Sequence, residues 1–412
     1  MIMSKPRVIL IDVISSDTKP EEAKRRLFEL ESLTHTYGGM IVVKVIQKRV
    51  TPDYKTYIGS GKLEEVVEIA EAEKVDIIII NNLLKPHQIF NIERMVERKG
   101  IKVWDRIDLI LKIFQKHADT TEAKLQIRLA GIRHMGPRIY RMGLELGQQA
   151  GGIGTRGAGE TNIEKMKRHL ADEERAIKKQ IAKYSNTRGL HRARRDKMGF
   201  KTASIVGYTN AGKSSLLNAL TKKGAYVADE LFATLDTRVA KLWLPSDDPL
   251  VSAMGGSASG GKGGHPAISP LVKGGHPAIS PLVKGGHPAK GGIGGLSVLL
   301  SDTIGFIQDL PPQLIQAFRS TLEETIHADL LLHVIDVSDP YMKEKIDEVE
   351  EVLAELDAQD TPKIYVFNKI DNLKRIPRAK LKKEFKEFNP VFVSCKSGEG
   401  LEELKQLLAK GF

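Results

Sequence analysis

The sequence predicts an α/β protein in two parts: a small, mostly parallel α/β domain with a long helical hairpin, then a second α/β domain built on a phosphate loop. Three observations predict it. Short apolar runs alternate with amphipathic stretches over residues 7–105. From 107 to about 185 the pattern is helical on either side of a glycine-rich segment. At 202–220 a strand, a G-x-x-x-x-G-K-S loop and a helix follow one another.

In order, Arg7–Val13 reads as a buried strand, and Glu21–Tyr37 as a helix with Leu27, Leu30 and Leu33 on one face, stopped by Gly38-Gly39. Met40–Gln47 is a second strand. Asp76–Asn81, with four consecutive isoleucines, is a central strand buried on both faces. Ile101–Trp104 closes the series, so residues 1–106 form one α/β subdomain. Gly59-Ser60-Gly61-Lys62-Leu63 imitates a phosphate loop, but Thr56 stands where the first glycine belongs and Leu63 has no metal-ligating oxygen. It reads as a helix N-terminus, with an anion or RNA contact as the lesser reading.

The hairpin is expected over 107–186. Leu109, Ile113, Leu125, Leu129 and Ile132 recur at helical spacing, and Pro137 is expected to bend or end the run near Met142. The segment Gly147–Glu160 is too glycine-rich to hold one shape alone, and a second helix is expected from Glu160-Thr161 to about Ser185. The favoured role of the glycine loop is to order on RNA, with Arg156 as its cationic contact. Residues 187–198 are expected to be a basic linker. Between Arg175 and Lys201 ten Lys/Arg stand against one acid, Asp196. Such a run is often only a solvated helix face; beside a nucleotide domain, RNA contact is the better reading.

The G domain is expected over 199–412. Gly207, Asn210, Ala211, Gly212, Lys213, Ser214 and Ser215 form the phosphate cradle and open the helix Ser215–Leu220. The glycines let successive N–H groups turn inward, the helix N-terminus adds its positive end, Lys213 bridges the β- and γ-phosphates, and Ser214 ligates Mg²⁺. Leu299–Gly305 contains D-x-x-G: Asp302 holds Mg²⁺ through water, and the Gly305 amide senses the γ-phosphate. A threonine must close over the metal, and Thr234 is preferred with Thr237 second. Lys363–Phe367 leads into Asn368-Lys369-Ile370-Asp371, where the Asp371 carboxylate accepts from guanine N1–H and its 2-amino group; adenine offers neither donor. Asn368 braces the loop, and the Lys369 stem lies over the base. Ser394-Cys395-Lys396, after the strand Val391–Val393, supplies a backbone N–H to guanine O6. The nucleotide is therefore GTP or GDP. Catalysis is assigned to Lys213, Thr234 and Gly305.

These motifs carry a resemblance. Gly207–Leu220 (GYTNAGKSSLLNAL), Leu231–Asp236 (LFATLD), Asp302–Ile307 (DTIGFI) and Gly151–Glu164 (GGIGTRGAGETNIE) are similar to the HflX family of translational GTPases, over nearly the whole chain except one insertion. The resemblance implies a Ras-like P-loop GTPase domain that binds the large ribosomal subunit and its RNA, is stimulated by it, and splits or rescues stalled ribosomes. It also implies that bacterial members often carry a further C-terminal domain, so this chain reads as an archaeal-like form lacking it. Phe306 stands where better-known small GTPases place a water-orienting Gln, so intrinsic hydrolysis is expected to be slow.

The strands Arg238–Leu244 and Leu296–Asp302 are expected to pair antiparallel, with an insertion of about 245–295 at the hairpin tip. Gly263–Lys273 and Gly274–Lys284 are identical, and Gly285–Lys290 starts a third copy; this insertion is expected to be disordered. His265, His276 and His287 lack the close pairing of a metal site. After Pro311-Pro312 a helix is expected over Gln313–His327, then a strand at Asp329–Val337 and a last helix at Gly400–Lys410.

Composition narrows the class. At 412 residues, 41% apolar and 28% charged, the chain can bury two or three cores, and its net charge of +11 favours a polyanionic partner. There is no membrane-length apolar run and no signal-peptide core, and one cysteine, Cys395, excludes internal disulfides. A cytoplasmic monomer is expected. The rival reading is a GTP-regulated RNA-binding or ribosome-assembly module in which hydrolysis is incidental. An enzyme acting on RNA with GTP as a timer is disfavoured, since no Cys or His constellation supports it.

Overall fold

The computed structural model describes residues 5–149, 156–221, 238–245, 295–303, 305–307, 314–315, 322–373 and 378–412. The first domain runs β1 (Arg7–Ser15), α1 (Pro20–Tyr37), β2 (Met40–Arg49), α2 (Ser60–Ala72), β3 (Ile77–Ile80), α3 (Pro86–Val96) and β4 (Lys102–Asp105). Its sheet has the order β2-β1-β3-β4 and is parallel throughout. Helices on both faces explain why every isoleucine of β3 is buried. Gly38 ends α1 at φ +98°, its N–H donating to the carbonyls of Thr34 and His35. Gly59 caps α2, so the imitation phosphate loop is a helix N-terminus.

The hairpin departs from expectation in three ways. The run after Ile107 is two helices, α4 (Arg106–His117) and α5 (Thr121–Gln149), because Ala118 adopts an extended conformation and Thr120 caps the next turn through the Ala123 N–H. Helix α5 does not end at Pro137. A proline costs one backbone hydrogen bond, and this 29-residue helix is held upstream by its partner. That partner, α6 (Arg156–Lys197), opens before Glu160 and runs 42 residues, so the expected linker over 187–198 is helix almost throughout. Leu125, Leu129 and Ile132 of α5 pack on Leu170, Ile177 and Ile181 of α6, and Arg128–Glu173 at 2.7 Å and Arg133–Glu174 at 3.0 Å stitch the seam. Residues 150–155 and the side chain of Arg156 lie outside the described set.

The G domain follows: β5 (Lys201–Gly207), α7 (Lys213–Thr221), β6 (Arg238–Pro245), β7 (Gly295–Asp302), α8 (Glu323–Ile326), β8 (Leu330–Asp336), α9 (Met342–Glu355), β9 (Lys363–Asn368), α10 (Arg378–Glu384), β10 (Val391–Phe392) and α11 (Leu401–Lys410). The order is β10-β9-β8-β5-β7-β6, with only β6 antiparallel, as the hairpin reading required. Of the helix expected over Gln313–His327, the described parts are helical Leu314-Ile315 and α8. The insertion over 246–294 with its three histidines, Pro311-Pro312, and Thr234 and Thr237 lie outside the described residues. The two α/β domains share one apolar cluster, in which Leu30, Leu33 and Phe114 join Val206, Tyr208, Phe306 and Val349. Among the described residues no helix is long and apolar enough to cross a membrane.

Candidate nucleotide site

The candidate residues converge on the carboxyl ends of β5, β7, β8, β9 and β10, where an open α/β sheet leaves a crevice. Two loop positions require glycine. Gly207 sits at φ +145°, where a Cβ would come within 2.3 Å of the Val334 carbonyl oxygen. Gly212, at φ +97°, leaves no room either: a Cβ would meet Asn368 Nδ2 at 2.2 Å. The cradle is thus pressed against β8 on one side and against the loop of Asn368 on the other.

Lys213 is buried. Its Nζ donates to the carbonyls of Gly207 at 3.1 Å and Tyr208 at 2.7 Å. Burial pulls its pKa down to about 8, with Asp302 opposing. Ser214, the second residue of α7, donates its hydroxyl to Asp302 Oδ2 at 2.6 Å, and Asp302 is fully buried at the end of β7. A hydroxyl and a carboxylate oxygen placed together beside the phosphate loop suit a small hard cation such as Mg²⁺, which Ser214 and Asp302 would hold.

Gly305 lies directly on the loop, where a Cβ would fall 2.7 Å from Thr209 Cγ2 and 2.9 Å from Lys213 Nζ. The next residue, Phe306, is buried, and its backbone zips to the loop. Thr209 N–H donates to its carbonyl at 2.8 Å, and its own N–H donates to the Gly207 carbonyl at 3.2 Å.

The opposite end holds the N-K-x-D residues expected to meet the base. Asn368 donates through Nδ2 to the Ala211 carbonyl at 2.9 Å and accepts the Cys395 N–H through Oδ1 at 3.3 Å, tying three loops together. Ser394, fully buried, donates to Asp371 Oδ1 at 2.7 Å and orients that carboxylate. Lys369 sits at φ +65°, its ammonium 2.7 Å from Asp336. Burial first, and the charge of Asp371 second, push the Cys395 thiol up to about 12, which disfavours the thiolate. Ser215 is half-buried and Lys396 exposed at the rim.

Three family models match the chain in succession: a GTP-binding GTPase N-terminal region over residues 24–115, a GTP-binding GTPase middle region over 117–195, and a 50S ribosome-binding GTPase over 202–369. The GTPase HflX of Caldanaerobacter subterraneus subsp. tengcongensis is 39% identical over 406 residues, covering 98% of this chain and 80% of that protein. The chain belongs to the HflX GTPase family. The HflX of Escherichia coli is 35% identical, over 98% of this chain and 82% of its own length. A GTP-binding protein from Sulfolobus solfataricus, solved in complex with GDP, is 24% identical over 98% of both chains, with a TM-score of 0.46. As an HflX GTPase the chain binds guanine nucleotide and hydrolyses GTP, and its G domain is of the ribosome-binding kind.

Sequence reading missed some neighbours of the site. Tyr208, inside the loop, donates its hydroxyl to Glu29 of α1 at 2.6 Å, and Lys345 lies 4.4 Å from the centre of its ring. Glu29 in turn pairs with Arg106 at 3.1 Å. A cavity of about 860 Å³ separates α1 from the loop and from the start of α9. Only the aromatic at the second loop position hinted at such contacts.

Proposed function

We propose a Mg²⁺-dependent GTPase that binds the large ribosomal subunit through its RNA and acts in ribosome splitting, rescue or recycling. The reading rests above all on the face of α6, where Arg175, Lys178, Lys179, Lys183, Arg194 and Lys197 are exposed in a chain whose G domain matches a ribosome-binding model. The modules are taken as 1–106, the hairpin from 107, and the G domain from 199, in a cytoplasmic monomer.

In this reading the loop amides from Asn210 to Ser215 and the start of α7 receive the β-phosphate, while Lys213 spreads the charge developing on the γ-phosphate. Ser214, Asp302 and Thr234 hold the metal, which neutralises the phosphate oxygens when bound. Gly305 senses the γ-phosphate, Asp371 and Asn368 select guanine, and Lys369, Ser394, Cys395 and Lys396 close over the base. A phenyl ring at Phe306 cannot polarise the attacking water, so intrinsic turnover is slow and the ribosome speeds it.

The test is GTP turnover of the purified protein alone, with isolated large subunits and with small subunits, ATP serving as control. Stimulation by large subunits only is expected. No response to either, with GTP still bound tightly, favours the second reading, a GTP-regulated RNA-binding or assembly module. That alternative draws on the exposed α6 face, which needs no ribosome to bind RNA.

A further inference from the structure

We propose that the side-chain hydroxyl of Thr209 is a further catalytic group of the GTPase reaction, donating a hydrogen bond to an oxygen of the γ-phosphate. The inference uses the GTPase activity of the family and rests on the reading of Lys213 and Gly305 as groups that meet the γ-phosphate. It needs no ribosome.

Thr209 is the third residue of the phosphate loop, and it is buried. Its Oγ1 is the one buried side-chain hydroxyl with no hydrogen-bond partner among the described residues. A hydroxyl buried without a partner is a standing cost to the fold. The hydroxyls around it all find acceptors. Thr303 donates to the Ile205 carbonyl at 2.7 Å, Ser214 to Asp302 at 2.6 Å, and Tyr208 to Glu29 at 2.6 Å. The fold can therefore satisfy hydroxyls in this region, and at Thr209 it does not.

The position of Thr209 says what would satisfy it. A Cβ added to Gly305 would fall 2.7 Å from Thr209 Cγ2, 2.9 Å from Thr209 Cα and 2.9 Å from Lys213 Nζ. Thr209, Lys213 and Gly305 thus crowd one point. The methyl and the hydroxyl of threonine share a single carbon, so the hydroxyl sits beside that point. An ammonium makes the point a place for an anion, and a hydroxyl meets an anion only as a donor.

No other group of the same corner offers that hydrogen bond. The Thr209 N–H is already given to the Phe306 carbonyl at 2.8 Å, so the side chain is the donor this residue has left. Phe306 brings a ring and no polar side-chain group. The Thr209 hydroxyl therefore adds to Lys213 a second side-chain donor for the phosphoryl group. GDP has no γ-phosphate and cannot use it, so the contact separates the two nucleotides as well as aiding the reaction.

The test uses the full-length protein without ribosomes, with GTP turnover, competition binding of GTP and GDP, and melting of the nucleotide-free protein. Thr209→Val replaces the hydroxyl by a methyl and keeps the branched shape. It is expected to lower kcat by about tenfold or more, and to weaken GTP by about fivefold while GDP changes less than about twofold. The nucleotide-free protein should melt no lower than the parent, since the variant deletes an unmet hydroxyl. Thr209→Ser keeps the hydroxyl and is expected to return most of the lost turnover. A Thr209→Val protein with kcat and GTP-over-GDP preference within about twofold of the parent would overturn the inference. So would equal losses in Val and Ser, which would assign the effect to the methyl packed on Gly305, or equal losses of GTP and GDP, which would mark a distorted cradle. If Thr209→Val does not fold, Thr209→Ala against Thr209→Ser decides by the same criterion. Gly305→Ala, run beside them, tests the underlying reading: normal turnover there removes the γ-phosphate from this corner, whereas normal turnover in Thr209→Val alone removes only the hydroxyl.

Discussion

The hydroxyl of Ser214 and the carboxylate of Asp302 meet at 2.6 Å across 88 positions of sequence. Helix α7 carries one and the end of β7 the other, and both face the phosphate loop. Asp302→Asn removes the charge while keeping the size, so about 10²-fold loss of turnover at ordinary Mg²⁺ is expected, partly restored at high Mg²⁺. Steady-state kinetics across a Mg²⁺ titration check it. A variant with normal turnover and an unaltered Mg²⁺ profile would remove Asp302 from the metal site.

Asp371 is oriented by the buried hydroxyl of Ser394. In Asp371→Asn the side chain can no longer accept both guanine donors, and its new N–H₂ matches a base bearing oxygen at that position. GTP affinity should fall by about 10²-fold or more, while xanthosine triphosphate gains. Competition binding with the two nucleotides reads this directly.

Lys213 has a pKa lowered to about 8 by burial, below that of an unfolded lysine. Between pH 8 and about 10.5 the unfolded chain binds the extra proton, so the nucleotide-free protein gains stability from this group as pH rises. Lys213→Met should therefore stabilise the nucleotide-free protein at pH 7, by about 3 kcal/mol at most, while abolishing tight GTP binding. Binding of phosphate favours the charged form, so affinity for GTP should weaken as pH rises through 8. Melting curves and titration calorimetry at pH 7 and pH 9 test both signs.

His134 of α5 donates towards Asp105 at 3.1 Å and lies 3.4 Å from Asp108, docking the hairpin onto the capped end of α4. Burial opposes its charge, but the two carboxylates hold its pKa up to about 9. A raised pKa means the stabilisation is full below about 6.5 and is lost as pH rises through about 9. His134→Gln should cost about 2–3 kcal/mol at pH 6 and much less at pH 10. Denaturant melts at the two pH values would show an equal cost at both if the histidine were neutral and merely packed.

Much of this was legible from residue order. Apolar runs set the strands of both sheets, and the strand, glycine loop and helix at 202–220 set the position of the phosphate loop, because each depends on neighbours within a few residues. Even the false loop at Gly59–Leu63 was resolved by a missing glycine and a missing hydroxyl. The helix boundaries were less legible. Pro137 and the glycines at 157 and 159 argue locally against helix, yet α5 and α6 run through them, beyond the seam where Leu125, Leu129 and Ile132 pack on Leu170, Ile177 and Ile181.

Tertiary structure alone decided what the basic run does. By charge it was one polyanion-binding stretch, but Arg188, Arg192 and Arg195 turn inward to Glu323 and Glu324, while Lys179, Lys183 and Lys197 stay exposed. Their spacing of four and three residues places the inward arginines on one helix face. The acids that claim them lie about 130 residues further on, and only the fold brings those two faces together.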